Sequence, residues 1–271
     1  YGLKLGWPSF DNLTDGLVGG DLLTFVGRPA SGKTYLLAYA ASHAWRENNK
    51  KILFVSMEMK PLPIIQRLAA LNTHTPITPL KKAELSSLHE ATLLAELGSY
   101  ANKPGFYVVD GSLTSTVEDI TAMSRQLKPD VVFIDGAYLI SSKNMKLQRW
   151  ERTSMILEGI KSDIAQALDI PVIVSFQFNR QATEKKKGSL ETIAYTDAVG
   201  QLSSIVLGLG MNQDVESVEA LTSRTVEILK GRNGESGSFT INWKFDAPGP
   251  YFMDFEEVKS IQLEDMTYGV E

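Results

Sequence analysis

The sequence contains no cysteine, so a disulfide framework, a thiolate metal site and a cysteine nucleophile are all excluded, and nothing points to an oxidising compartment. It has no apolar run approaching the roughly 20 residues that a membrane span needs. The opening Tyr1-Gly2-Leu3-Lys4-Leu5-Gly6 does not have the form of a signal peptide. A cytoplasmic protein without a membrane segment is therefore expected. Positive charge is also short: the formal net charge is −5 and the pI about 5.4, which leaves no global electrostatic basis for nucleic-acid binding. Any such binding has to be local. What the chain does have is 43% hydrophobic residues over 271 positions, enough for the core of one large α/β domain. No repeat, low-complexity tract or linker divides it. It starts at Tyr1 rather than at a methionine, and is expected to be a segment of a longer protein.

The order of the apolar runs predicts the fold class. Leu22-Leu23-Thr24-Phe25-Val26 reads as a strand running into a glycine-rich turn, and residues 33–46 follow with helical spacing. Residues 52–56, 105–110, 131–135 and 171–176 read as further buried strands. They alternate with helices over about 61–71, 80–101, 116–127 and 148–168, the third opened by a capping box of Ser115 and Glu118. Such alternation predicts a mostly parallel sheet flanked by helices. The last third changes character: strands at 205–209, 224–229 and 238–243 are separated by turns, Asn233-Gly234 marking a tight one, which predicts an antiparallel extension. The expected organisation is a single domain over 1–271, with an opening segment at 1–20, a parallel core at 21–210 and the extension and tail at 211–271.

Gly27-Arg28-Pro29-Ala30-Ser31-Gly32-Lys33-Thr34 satisfies the phosphate-loop spacing of two glycines separated by four residues and followed by lysine and threonine, and it sits between a strand and a helix start as the chemistry requires. Backbone N–H groups in such a loop face the phosphates of a nucleoside triphosphate. Lys33 reaches the β- and γ-phosphates, Thr34 offers its hydroxyl to Mg²⁺, and the helix dipole favours the anion. Tyr35 follows directly. Asp135 closes an apolar strand, the place for a Mg²⁺-organising carboxylate; Asp110 closes another and competes for that role. Glu58, just past the second strand, is placed to activate a water, and Gln177 follows the run 171–176 where an amide can sense the γ-phosphate. Arg28 and Tyr251 are candidates to stack on a base.

These residues together resemble the C-terminal ATPase domain of DnaB-type replicative helicases, a RecA-like P-loop NTPase family. The resemblance is distributed. Gly6-Trp7-Pro8-Ser9-Phe10-Asp11-Asn12-Leu13 resembles the family's opening segment, and Val55-Ser56-Met57-Glu58-Met59 its second motif, which implies that Glu58 is the catalytic base. Phe133-Ile134-Asp135 is similar to the Mg²⁺ motif, and Ser175-Phe176-Gln177-Phe178-Asn179-Arg180 to the segment that couples the γ-phosphate to DNA-binding loops. Lys230-Gly231-Arg232-Asn233-Gly234 is similar to a turn whose lysine and arginine enter the neighbouring subunit's site. A lysine and an arginine two apart at a strand end share a face, in keeping with such a reach.

The resemblance implies an ATP-driven, hexameric DNA helicase motor that translocates on single-stranded DNA in a central channel, 5′ to 3′. Lys230 and Arg232 would act in trans, and primase or a loader would be met through regions outside this chain. A divergent member, bacterial or phage-borne, is expected. The segment Tyr195-Thr196-Asp197-Ala198-Val199-Gly200-Gln201 keeps the family's glutamine but not its flanking acids. Arg180 with Lys185, Lys186 and Lys187 are then the nearest cations for DNA, although a lysine run read alone is a solvated loop. Two other readings remain open on the sequence: a recombinase-like or loader-like DNA-dependent ATPase that does not unwind, and a signalling ATPase with no DNA role.

Overall fold

A computed structural model describes residues 2–142, 149–177, 197–210, 222–245 and 253–258. The strands are β1 (Leu22–Gly27), β2 (Ile52–Ser56), β3 (Phe106–Asp110), β4 (Val131–Asp135), β5 (Val172–Gln177), β6 (Ile205–Leu209), β7 (Ser223–Lys230) and β8 (Gly237–Asn242). They form one sheet in the order β3-β2-β4-β5-β1-β6-β7-β8. The pairings from β3 across to β6 are parallel, and β6–β7 and β7–β8 are antiparallel. The predicted parallel core with an antiparallel extension is what forms.

The central strands are mostly apolar because both of their faces are covered. Leu23, Phe25, Ile52, Phe54, Val131, Phe133 and Ile173 point to one side; Leu22, Val26, Leu53, Val55, Val132, Ile134, Val172 and Val174 point to the other. Helices α1 (Pro8–Thr14), α2 (Lys33–Arg46), α3 (Pro61–Thr73) and α4 (Ile77–Lys82) lie on the first side, where Trp7 and Phe10 are fully buried. The next helix, α5 (Ser87–Ser99), precedes β3 in the chain, and α6 (Val117–Leu127) and α7 (Arg149–Gly159) cover the second side. The short α8 (Asp197–Leu202) leads into β6. No described helix is long and apolar enough to cross a membrane.

Three local expectations shift. The helix expected over 80–101 is two: α4 ends where Ala83 turns left-handed (φ 56°), and α5 starts afresh with the Ser86 hydroxyl accepting from the His89 N–H. The capping box of α6 is Thr116 with Asp119, one residue beyond Ser115 and Glu118; the Ser115 carbonyl instead accepts from the Ser141 N–H. That register turns Val117, Ile120, Thr121 and Ser124 inward. The helix expected over 148–168 runs as α7 and then widens into a π-helical segment, Ile160–Gln166, with Ile160, Ile164 and Ala165 buried.

Candidate active site

The parallel strands all end at one edge of the sheet, and the phosphate-loop chemistry collects there. β1 ends at Gly27, and in register across from it β5 ends at Gln177. The loop then turns through Ala30 and Gly32, both left-handed, into the first turn of α2. Gly32 has a second constraint: a Cβ there would run into the Trp243 indole. Gly27 is held close as well, with a Cβ position only 2.7 Å from the Ser31 hydroxyl. The Lys33 ammonium is folded into the loop, donating to the carbonyls of Gly27 (3.1 Å) and Arg28 (2.7 Å) and to the Ser31 hydroxyl (3.4 Å). Burial draws its pKa down to about 8, against the opposing pull of Glu58 and Asp135. Arg28 itself is exposed.

Asp135 ends β4 and is almost wholly buried. Its Oδ1 accepts from the Ser175 hydroxyl at 2.8 Å, and Ser175 in turn accepts from the Gly136 N–H at 2.7 Å. Its Oδ2 is buried with no hydrogen-bond partner among the described residues. Burial pushes the carboxyl pKa up, while the Ser175 and Thr34 hydroxyls favour the charged form. A buried carboxylate oxygen left unpartnered beside the Thr34 hydroxyl is the donor set that a hard divalent cation such as Mg²⁺ takes. The residues therefore fit that ion. The competing Asp110 lies differently. It is on β3, four strand spacings or about 19 Å from β1, tied to the Ser112 backbone N–H and to Lys60 at 3.0 Å, which hold its pKa down at about 2.

Glu58 is exposed just beyond β2, and the Met57 N–H bonds the Asp135 carbonyl at 2.9 Å, which brings the end of β2 alongside β4. The Tyr138 hydroxyl donates to Glu58 at 3.0 Å. Tyr138 sits in a single 3₁₀ turn, Ala137–Leu139, directly after Asp135, edge-on to Phe176. Sequence reasoning misses its role, because only the turn after β4 swings it back toward β2. It misses Arg67 as well. That residue comes from α3, with its guanidinium 4.2 Å over the Tyr35 ring and Nε buried without a partner among the described residues, and its positive charge is felt at Asp135. Tyr35 is wedged among Trp243, Phe245 and Phe255, so the loop's aromatic support comes from the C-terminal part of the chain. Tyr251, Arg180, Lys185, Lys186 and Lys187 lie outside the described residues.

Lys230 and Arg232 are not at this edge. β7 runs antiparallel to β6, so its end lies beside the start of β1, a strand length of about 20 Å from the phosphate loop. There the Lys230 ammonium donates to the carbonyls of Gly200 (2.6 Å) and Ser203 (2.7 Å) at the end of α8. Arg232 pairs with Asp21 and donates to the Gly16 carbonyl at 3.1 Å. Neither can serve the phosphate loop of its own chain.

The profile of the DnaB-like helicase C terminal domain matches residues 2–249. The chain is 29% identical over 250 residues to the replicative DNA helicase DnaB of Treponema pallidum, covering 91% of this chain and 54% of that protein. To its counterpart in Mycoplasma genitalium it is 27% identical over 260 residues, covering 90% and 55%. It thus spans about half the length of these curated relatives. Among solved structures it superposes on an isolated ATPase domain with a TM-score of 0.82 at 24% identity, covering 94% of this chain and 92% of that one. A DnaB-like replicative helicase, solved in a study of its interactions with primase, gives 0.80 at 22%, covering 94% and 62%. The fold is that of RecA-like ATPase domains, and with nearly its whole length matched the chain belongs to the family of DnaB-like helicase C-terminal domains.

Proposed function

We propose that this chain is the motor domain of a ring-forming, ATP-driven DNA helicase. The observation that carries the reading is the division of the chemistry between two opposite edges of one sheet: the phosphate loop, Glu58, Asp135 and Gln177 at one, Lys230 and Arg232 at the other. A closed ring of identical subunits brings one edge against the other at every interface. Among the relatives, the Treponema and Mycoplasma proteins are replicative DNA helicases. We take the ring to be a hexamer and movement to be 5′ to 3′, with primase or a loader engaged through other parts of the full protein.

In this reading the phosphate-loop amides and Lys33 hold the triphosphate of ATP. Glu58 orients and deprotonates a water, whose oxygen attacks the γ-phosphorus as the bond to the β–γ bridging oxygen breaks; ADP and phosphate leave, and the proton rests on Glu58. Thr34 and Asp135 would hold Mg²⁺, which when bound would supply neutralising charge at the phosphate oxygens. Gln177, level with Gly27, reports the state of the γ-phosphate to the segment that follows it, and the neighbour's Arg232 meets the charge that develops on the transferring group. Strand separation of a forked duplex with ATP and Mg²⁺ is the direct test; an assembled, ATP-hydrolysing ring that leaves the fork paired overturns the helicase reading in favour of a non-unwinding DNA-dependent ATPase.

A further inference from the structure

Arg232 is not loose at its edge of the sheet. Its Nε donates to Asp21 Oδ1 at 3.2 Å, its Nη2 bonds Asp21 Oδ2, and Nη2 also donates to the Gly16 carbonyl at 3.1 Å. A guanidinium has five N–H donors in a rigid plane, so fixing Nε and Nη2 fixes the direction of the remaining edge. That edge is Nη1, which makes no hydrogen bond among the described residues, while the side chain as a whole remains 26% exposed. Asp21 is itself immobilised. It is buried, its Oδ2 accepts from the Val18 N–H at 2.9 Å, its own N–H donates to the Val18 carbonyl at 3.1 Å, and its carbonyl accepts from the Val172 N–H at the start of β5. An anchored carboxylate therefore holds one edge of the guanidinium, the Gly16 carbonyl takes the other N–H of Nη2, and Nη1 is left open.

We propose that Asp21 is the positioning residue of Arg232: it orients the guanidinium so that its Nη1 edge faces the phosphoryl group bound by the adjacent subunit. The inference rests on the reading of Arg232 as a group acting in trans. The surroundings suit the role. Lys161 lies close enough to feel Asp21, Lys230 and Arg232, so three cations crowd this edge, and without a fixed counter-charge the arginine would be driven outward and would sample many orientations. A flexible arginine recovers its order only by losing rotamer freedom at each turnover, whereas one held by two charge-assisted bonds has lost it on folding.

The test is a double-mutant cycle on the assembled protein. Asp21→Asn keeps an acceptor for the Val18 N–H but removes the charge and the paired acceptor for the guanidinium. It is expected to lower kcat for ATP hydrolysis by roughly 10- to 100-fold, with KM and nucleotide affinity unchanged, and to have no further effect in an Arg232→Ala background. An equal loss in both backgrounds shows a structural role and overturns the proposal, as does unchanged kcat with Asp21→Asn. If Arg232→Ala itself keeps normal turnover, the trans reading falls and this inference with it, an outcome distinct from the other two. Should Asp21→Asn fail to assemble, Arg232→Lys reads the same contact from the other side. Lysine keeps the charge but cannot span both carboxylate oxygens, so turnover close to that of Arg232→Ala is expected; turnover near wild type overturns the proposal.

Discussion

The two edges of the sheet carry opposite kinds of incompleteness. At the phosphate-loop edge polar groups are buried without partners: Asp135 Oδ2 and Arg67 Nε have none among the described residues, and Lys33 is turned onto its own loop's carbonyls. At the other edge the cations are tethered, Lys230 to the end of α8 and Arg232 to Asp21 and Gly16. Unsatisfied buried groups are costly, so the first edge is built to receive a ligand, while the second is built to hold a shape. In the proposed ring, one subunit would supply a receptor at one end and a preset probe at the other.

The sharpest way to break this comparison is to remove one cation from each edge. Arg232→Ala is expected to leave ATP affinity unchanged and to cut turnover by about 10³-fold, the lower bound for trans-acting arginines. Lys33→Ala, by contrast, is expected to lose ATP binding itself, measured with a fluorescent nucleotide. Doping Arg232→Ala subunits into wild-type rings is expected to depress activity more than in proportion to their number. Strictly proportional loss would mean that each subunit uses its own arginine, against the strand length that separates them.

Next in size is Glu58→Gln, which keeps the shape of the side chain and removes its basicity. Turnover is expected to fall by about 10²–10⁴-fold, the range for loss of a general base, with nucleotide affinity retained. Near-normal single-turnover hydrolysis would take Glu58 out of the base role and assign water activation to another group.

Legibility in the sequence follows the same division. The strands and the phosphate loop are readable because both rest on local patterns: continuous apolar runs buried on two faces, and a glycine spacing set by the backbone's own geometry. Asp135 is readable as the end of such a run. Arg67, Tyr138 and Asp21 are not, since each acquires its role from where a helix or turn is folded back, and nothing in their immediate neighbours marks it. The resemblance gives Lys230 and Arg232 a role but not their tethers, because a contact between positions 21 and 232 leaves no trace in either local pattern. The one-residue shift of the α6 cap shows the limit of local rules: Ser115 with Glu118 and Thr116 with Asp119 both fit the spacing, and the burial of Val117 and Ile120 decides between them.

A smaller effect sharpens the electrostatics of the first edge. Tyr138→Phe removes the hydroxyl that donates to Glu58 at 3.0 Å. A hydrogen bond to a charged group contributes about 1.5–3 kcal/mol, so a loss of roughly tenfold in kcat is expected at the exposed end of that range, with ATP affinity unchanged. Unaltered kcat would mean that Glu58 is positioned by β2 alone.

The smallest expected effect concerns the chain that joins the edges. β5 delivers Gln177 to the phosphate-loop edge, and α8 brings the chain back to the start of β6, where Lys230 holds its last carbonyls. Residues 178–196, outside the described residues, join Gln177 to α8 in the sequence. They contain Arg180 and Lys185 to Lys187, the cations proposed to meet DNA. Replacing the three lysines with alanine is expected to weaken single-stranded DNA binding and to flatten the dependence of log K on log salt by up to about 2, given roughly 0.7 per phosphate contact on a single strand. ATP affinity should not change. An unaltered salt slope would return the run to a solvated loop.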